Sequence, residues 1–309
     1  MRGHARKFYP DAHQHIYVRA LQYFVIFYTM EDRLVYYTIF AVMARKYQVC
    51  VLALALMFDH IHHLIKVKDK ETMGKFVGVT TSTFAMAYNR DSGRKGPLFW
   101  KAFGNANKRK DKDVRSSIAY NYNNSVEKKL FDRAEQDRWN FLAYIDSTHP
   151  FSKEIDKKSA SKKLLRSMDT AFLYHARNEY LDYTVVRRLF QGLETGEQEQ
   201  LLDFIISLYL PIDKEALLRF YRSYDDMVLA INSNTGSEYD INEFFDPESH
   251  QGFVRMLEVT AHSSFADDPR SIILAPDEQK RQIADRLRKL TGASIGQIKR
   301  ITGKSMCFQ

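Results

Sequence analysis

The alternation of apolar and polar positions divides the first 130 residues into strands and amphipathic helices. Residues 16–28 are rich in β-branched and aromatic side chains and predict one long strand or two short ones. Apolar residues then recur at helical spacing over 31–46, with Thr29 placed to cap that helix. The apolar run from Val49 to Phe58 predicts a buried central strand, and it is too short to cross a bilayer.

A second strand is predicted over residues 60–67, after a break at 58–59. A helix over 70–90, a short strand over 98–103, a basic loop and a helix over about 111–130 follow. The order β-α-β-β-α-β-α predicts an α+β fold: a ferredoxin-like or RRM-like antiparallel sheet with helices on one face. A parallel doubly wound sheet is disfavoured, because the second and third strands are joined too tightly for a crossover.

After about residue 150 the pattern becomes helical, with helices predicted over 161–191, 197–209, 213–232, 251–262 and 277–302. We therefore expect a domain of residues 1–150 and an all-helical C-terminal region of residues 151–309. Residues 278–305 predict a helix, a turn at Gly292 and a second helix from Ser294, the opening of a helix-turn-helix unit. Its recognition helix would fall on residues 303–309, whereas the alternative is a helical hairpin that packs on its neighbours.

Composition narrows the class of protein. Hydrophobic residues make up 45% of the chain and aromatics 13%, which is typical of a folded globular protein. Two cysteines are too few for a disulfide framework, and the N-terminus lacks the apolar core of a secretory signal. We therefore expect a cytoplasmic protein with no membrane partner.

The positive charge is concentrated in the N-terminal part. Residues 1–130 carry 22 Lys and Arg against 10 Asp and Glu, whereas the remaining residues carry 24 against 28. A polyanion bound to the N-terminal part would gain affinity by releasing counterions. Charge alone leaves this open, because a solubilising role explains it equally well.

Two local patterns could carry chemistry. His60 and His62 are two residues apart on a predicted strand, so both imidazoles can face one metal ion while Ile61 faces the core. Tyr120 and Asn124 are one helical turn apart and share a helix face. Either pattern alone is weak evidence, since short histidine spacings occur by chance and a tyrosine on a helix is more often structural.

Three motifs in order carry a family resemblance. The stretches MFDHIHHLI, GRKGPLFWKAFG and IAYNYNNSVEKKLF resemble the single-tyrosine HUH transposases of the IS200-like and REP-associated tyrosine transposase family. That family has a strand with Met-Pro-Asn/Asp-His-hydrophobic-His, a Gly-Arg-x-Gly segment that ends in an aromatic residue, and a helix with Tyr-x-x-x-Asn-Pro. The resemblance covers about residues 10–150. Phe58 and Ser125 depart from it, because each stands where the family usually has proline.

The resemblance implies a function and a site. His60 and His62 would be metal ligands, Tyr120 the nucleophile and Asn124 the third ligand, with Mg²⁺ or Mn²⁺ as the ion. The enzyme would nick and rejoin single-stranded DNA that contains hairpins, and the intermediate would be a 5′-phosphotyrosine. It would work as a homodimer. Tyr122 is close enough in sequence to compete for the nucleophile role.

Candidate DNA contacts surround these motifs. They are the basic residues of the loop and of the glycine-rich segment: Lys108, Arg109, Lys110, Lys112, Arg94 and Lys95. Phe99 and Trp100 could stack a base, although core packing is the better explanation for that strand. Two alternatives to the enzyme stay open. One is a catalytically silent, domesticated protein that binds hairpin DNA, and the other is an RNA-binding module, which the lack of aromatics in VCVLALALM disfavours.

Overall fold

Four antiparallel strands form the sheet in the computed structural model, which describes residues 8–233 and 247–303. The strands are β1 (His13–Arg19), β2 (Cys50–Leu56), β3 (His60–Lys66) and β4 (Gly104–Lys108). Their order across the sheet is β2-β3-β1-β4, so β3 lies between β2 and β1. Because β3 lies between β1 and β2, the strand order is that of a ferredoxin-like sheet, in which the two strands of the first βαβ unit are not neighbours. The expected fold class is confirmed.

Two strands differ from the prediction made for them. The strand expected over 16–28 ends at Arg19, because Gln22 and Tyr23 adopt positive φ values of 55° and 57° and turn the chain. The strand expected over 98–103 is instead β4, within the stretch predicted as a basic loop. Phe99 forms only an isolated bridge to Ala20. β4 is a half-buried edge strand of polar and small residues, so it lacks an apolar pattern.

Two helices cover one face of the sheet. Helix α1 (Met30–Lys46) begins at Thr29, whose hydroxyl accepts a hydrogen bond from the Asp32 backbone N–H while the Asp32 carboxylate accepts from that of Thr29. Helix α2 (Lys70–Ser92) ends at Gly93, which has a φ of 71°. The two helices pack on each other and on the sheet, as Phe40 and Phe76 illustrate by their contacts with His63 of β3. This is the helical face that the fold class predicts.

Helix α3 (Asp111–Glu127) covers the opposite face of the sheet. The hydroxyl of Tyr122 donates to the carbonyl oxygen of Leu52 in β2, at 2.8 Å. Every residue from Ser117 to Ser125 is buried, because α3 packs against the sheet, against short helical turns at residues 134–140 and against a later helix at residues 224–233. The helix carrying the candidate nucleophile is therefore enclosed between the sheet and later parts of the chain.

The next five helices share the core of the sheet. They are α4 (Lys162–Ala176), α5 (Tyr183–Phe190), α6 (Thr195–Tyr209), α7 (Lys214–Leu218) and α8 (Tyr224–Ser233). The single helix predicted over 161–191 is wrong: it divides at 177–182, where Asn178 has a φ of 58°. Tyr37 of α1 donates to the carbonyl oxygen of Ile206, and the backbone N–H of Asp213 donates to Val51.

The last three helices form a second core. Helices α9 (Pro247–Ala261), α10 (Asp277–Thr291) and α11 (Ile295–Thr302) pack around Met256, Leu287 and Ile298. Gly292 ends α10 with a φ of 67°, and Ser294 caps α11. The recognition helix expected over 303–309 falls, except for Gly303, outside the described residues. None of the helices in the described ranges combines the length and apolar character that a bilayer crossing requires.

A buried arginine ties this second core to the first. Arg270 is 2% exposed, and its guanidinium binds Asp32 of α1 at 3.1 Å, Asp91 of α2 and the neighbouring Asp268. It also lies over the ring of Tyr183, 4.6 Å from the centroid. Because Asp32 is fully buried, it depends on this cation to balance its charge.

We expect Arg270→Met to lower the free energy of unfolding by about 3–5 kcal/mol, because it leaves the Asp32 carboxylate buried without a cation. Urea unfolding followed by circular dichroism measures the change. Arg281→Met is the matched control: its ion pair with Glu278 is exposed, and its loss should cost less than about 1 kcal/mol. Equal midpoints for the two variants would contradict the role given to Arg270.

Candidate active site on the sheet face beneath helix α3

The alternation of β3 sends its histidines to opposite faces. His60 and His62 share the face beneath α3, and their ring centroids are 4.9 Å apart. Ile61 and His63 face α1 and α2. His63 is almost completely buried between Phe40 and Phe76, with only 2% of it exposed. Burial, aided by His15, lowers the pKa of His63 to about 3, so this imidazole is neutral.

Tyr120 meets the two-histidine face directly. Its ring centroid lies 5.3 Å from that of His62, with the two rings perpendicular, and 5.5 Å from that of His15. Only 5% of Tyr120 is exposed. The structure therefore brings together His60, His62 and Tyr120, which are separated by about 60 residues in the chain.

Tyr122 is held elsewhere. It is fully buried in the core, and its hydroxyl is occupied by the hydrogen bond to Leu52. Burial raises the pKa of Tyr122 well above its ordinary value, so a phenolate there is strongly disfavoured. Of the two tyrosines that compete in the sequence, Tyr120 is the one next to the histidines.

Each histidine of the pair is held through its Nδ1 atom. The Nδ1 of His60 lies 2.6 Å from a carboxylate oxygen of Asp59, and the Nδ1 of His62 lies 3.2 Å from the Nε2 of His15. Such contacts fix the orientation of metal-binding histidines and leave Nε2 for the ion. The Nε2 atom of His60 is buried and, within the described parts of the chain, has no hydrogen-bond partner. His60 thus offers an unsatisfied nitrogen to a ligand.

Asn124 offers a similarly unsatisfied oxygen. It lies one turn beyond Tyr120 and is 1% exposed, and its carboxamide oxygen lacks a hydrogen-bond partner among the residues that the structure describes. Buried polar atoms without partners are rare in folded proteins and are found where a ligand or ion binds. Imidazole nitrogen and carboxamide oxygen are both ligands for divalent metals, so the chemistry of these residues fits the implied ion.

The two departures from the family motif have different outcomes. Ser125 lies inside α3, which runs without interruption to Glu127, so the serine at this position continues a regular helix. Phe58 is 7% exposed and belongs to the second core, where its ring contacts His250 and Phe253. The aromatic side chain at this position therefore anchors the C-terminal helices beside the histidine strand.

Asp59 is the centre of a charge cluster that the sequence did not reveal. His250 of α9 brings its Nε2 atom to 3.8 Å from the Asp59 carboxylate. Burial by itself would raise the pKa of Asp59, but His60, His250 and Arg300 outweigh it and lower the pKa to about 2. The carboxylate is therefore ionised. Burial lowers the pKa of His250 to about 3, in spite of the opposing effect of Asp59.

His15 could have been found from the sequence. His13 and His15 have the same i, i+2 spacing as His60 and His62, and they lie on a predicted apolar strand or next to it. Asp59, in contrast, gives no signal of its own beyond its position in the motif. His250 lies in a helical stretch without a motif, so only the folded chain brings it to this site.

The predicted basic residues are not equivalent. The guanidinium of Arg94 donates to Asn89 and to the carbonyl oxygens of Gly96 and Pro97, so it holds the turn after α2. Arg109 lies over the ring of Tyr9, 4.8 Å from its centroid. Lys108 is half-buried at the end of β4. The other three lysines are exposed: Lys110 and Lys112 at the start of α3, and Lys95 in the turn after α2.

A row of aromatic and cationic side chains leads away from the histidines. Tyr17 and Arg19 pair in register with His62 and His60, so all four share one face. The Arg19 guanidinium lies 5.4 Å from the Tyr17 ring centroid and 5.8 Å from that of Tyr23. Arg300 of α11 lies 5.6 Å from the same Tyr23 ring.

Trp100 extends this row. Its backbone N–H donates to the carbonyl oxygen of Arg19, and 48% of Trp100 is exposed. Phe99 is buried and packs on Phe84, so the core role expected for this segment holds for Phe99 alone. We call Tyr17, Arg19, Tyr23, Trp100 and Arg300 the aromatic row.

Comparison with known proteins agrees with the motifs. Residues 10–105 match the family described as "Transposase IS200 like". No curated protein matches the chain. Among solved structures, the chain is similar to "Structure of the REP associates tyrosine transposase bound to a REP hairpin", at 15% sequence identity and a TM-score of 0.38, over 52% of this chain and 98% of that one.

The matched segment contains β1 to β3 and both histidines of the pair, and it ends before Tyr120. Transposases process DNA, so the match supports a DNA-processing enzyme. Residues 10–105 are thus similar to the IS200-like transposase family, in agreement with the motifs in that segment.

Proposed function

We propose that the protein nicks and rejoins single-stranded DNA, with Tyr120 as the nucleophile and a divalent metal ion as the cofactor. The observation that carries the proposal is the packing of the Tyr120 ring against His62, on the face that also holds His60. A tyrosine of purely structural role would not need two histidines with their Nδ1 atoms fixed and a third imidazole at its ring.

His60, His62 and Asn124 would hold the ion. When bound, the ion would polarise the scissile phosphate and stabilise the charge that develops on its oxygens. Mg²⁺ prefers oxygen ligands, whereas two imidazoles and one carboxamide suit a slightly softer ion. Of the two ions that the resemblance implies, we therefore favour Mn²⁺. Asp59 and His15 would act through the histidines, by holding their orientation.

The Tyr120 oxygen would attack the phosphorus, forming a phosphotyrosine bond to the 5′ end while the bond to the 3′ oxygen breaks. The phenol loses its proton and the departing 3′ oxygen becomes a hydroxyl. Because the new bond keeps the energy of the phosphodiester, attack by a 3′-OH on it rejoins the strand without ATP. The substrate class is single-stranded DNA that contains a hairpin, and the protein would act as a cytoplasmic homodimer.

The aromatic row would hold the bases of the strand next to the scissile phosphate. Bases stack on aromatic rings, and arginines beside them neutralise phosphates. The exposed Lys110 and Lys112, with Arg109 and the half-buried Lys108, would contact the DNA backbone near the first turn of α3. Lys95 is a further exposed candidate, whereas the hydrogen bonds of Arg94 favour a structural role. The domain of residues 1–150 would thus carry most DNA contacts.

Tyr120→Phe should abolish the covalent adduct and leave DNA binding nearly intact, because it removes only the attacking oxygen. The protein is mixed with labelled hairpin-containing single-stranded oligonucleotides from the flanks of its own gene and with Mn²⁺, and the products are run on a denaturing gel. The label should move to the size of the protein, and EDTA should prevent this.

Tyr122→Phe is the matched control for that experiment. It loses a buried hydrogen bond to Leu52, which costs about 0.5–1.5 kcal/mol of stability, but it should still form the adduct. An adduct formed by Tyr120→Phe, or lost only in Tyr122→Phe, would reject Tyr120 as the nucleophile. Clear binding without an adduct in the unmodified protein would instead favour the catalytically silent DNA-binding protein.

Trp100→Ala should weaken the binding of single-stranded DNA by about 1–3 kcal/mol, or about 5- to 150-fold in Kd, because it removes one stacking ring. Fluorescence anisotropy with the same oligonucleotides measures the Kd. Phe172→Ala is the control, since Phe172 is 54% exposed on α4. Equal Kd values for the two variants would remove the aromatic row from the proposed DNA path.

A further inference from the structure

One histidine at the candidate site comes from the C-terminal helices. His250 lies in α9 and is 3% exposed. Its ring centroid is 5.6 Å from that of His60, and the two rings are nearly perpendicular. One ligand atom each from Asp59, His60 and His250 lie within 4.8 Å of one another.

Two nitrogens of this cluster are unsatisfied. Over residues 8–233 and 247–303, neither Nδ1 of His250 nor Nε2 of His60 has a hydrogen-bond partner, although both atoms are buried. A buried polar atom without a partner destabilises the folded protein. Each of the two rings therefore has a buried nitrogen that the described residues leave unengaged, and an unprotonated imidazole nitrogen is a good ligand for a divalent ion.

The spacing of the cluster suits an ion. Metal–nitrogen and metal–oxygen bonds are about 2.0–2.2 Å long, so two donors on opposite sides of one ion are about 4.2 Å apart. The largest separation here exceeds that by about half an ångström, which small side-chain rotations would close. The Asp59 carboxylate adds an oxygen ligand with negative charge, which favours a cation beside the two imidazoles.

Phe58 explains how His250 comes to this position. The Phe58 ring centroid is 5.8 Å from that of His250 and 5.9 Å from that of Phe253, one turn further along α9. Arg33 lies over the same ring, at 4.9 Å. The Phe58 side chain, which departs from the family motif, thus packs against α9 and holds that helix next to Asp59.

We propose that His250 is a ligand of a divalent metal ion held with Asp59 and His60, so that metal binding joins the C-terminal helices to the sheet. The inference rests on the proposed function for the choice of a divalent ion and for His60, which is a ligand in both, and it gives Asp59 a direct contact with the ion as well as its contact with His60. It adds a donor from outside the three motifs, and it predicts that the ion stabilises the contact between the two cores.

The test measures Mn²⁺ binding to the DNA-free, full-length protein by isothermal titration calorimetry. His250→Ala should weaken Mn²⁺ binding by at least about 10-fold, because it removes one donor. His262→Ala is the matched control: it is an exposed histidine just after the same helix, and it should bind Mn²⁺ like the unmodified protein. Mn²⁺ should raise the melting temperature of the control by more than that of His250→Ala.

Equal Mn²⁺ affinity and equal metal-induced stabilisation in the two variants would overturn the proposal. If His250→Ala melts early without metal, His250→Gln keeps most of the buried volume, and the same comparison is made with it. The Mn²⁺ affinities and melting temperatures are measured without DNA, so they do not depend on the nicking reaction. Failure of the unmodified protein to form a Tyr120 adduct would reject the proposed function, whereas a normal Mn²⁺ affinity in His250→Ala and His250→Gln would reject only the role of His250.

Discussion

The two-residue period of β3 is the constraint on which the rest of the site depends. This strand has neighbours on both sides and is covered on both faces, so each side chain has only one possible environment. Ile61 and His63 complete the packing of α1 and α2, while His60 and His62 face α3. A shift of one residue would put two imidazoles into the apolar core and two core residues under Tyr120. Core packing therefore fixes the position of the candidate active site.

Burial gives this face its chemical character. Asp59, His15 and His62 are each less than 6% exposed, so their polar atoms must find partners in the protein or in a ligand. Partners exist for the Nδ1 atoms of the histidine pair, but the described part of the chain supplies none for Nε2 of His60 or for the carboxamide oxygen of Asn124. A face built only for packing would hold apolar side chains here, as β2 does with its alanines and leucines. These two unsatisfied atoms are the ones that the proposed ion would bind.

Local patterns predicted the elements whose signal is contained in a few neighbouring residues. The capped start of α1, the buried strand β2 and the histidine alternation of β3 are of this kind. The edge strand β4 was missed, because its half-buried GNANK lacks an apolar period. His250 was missed for a different reason: it reaches His60 across nearly 200 residues of sequence, and it sits in a helix without a motif. Contacts of this kind depend on how two cores dock, and no local pattern encodes that.

The docking of the second core ties the geometry of the site to the C-terminal helices. The backbone N–H of Val25 donates to Arg300, and the hydroxyl of Tyr28 donates to Ile301, so α11 holds the segment before α1. That segment in turn binds the carbonyl oxygen of Phe58 through the N–H of Ile26. Phe58 is the residue before Asp59, which orients His60. Any displacement of the C-terminal helices would therefore reach the Nδ1 contact of His60 through a short series of hydrogen bonds and covalent bonds, whether or not those helices read DNA themselves.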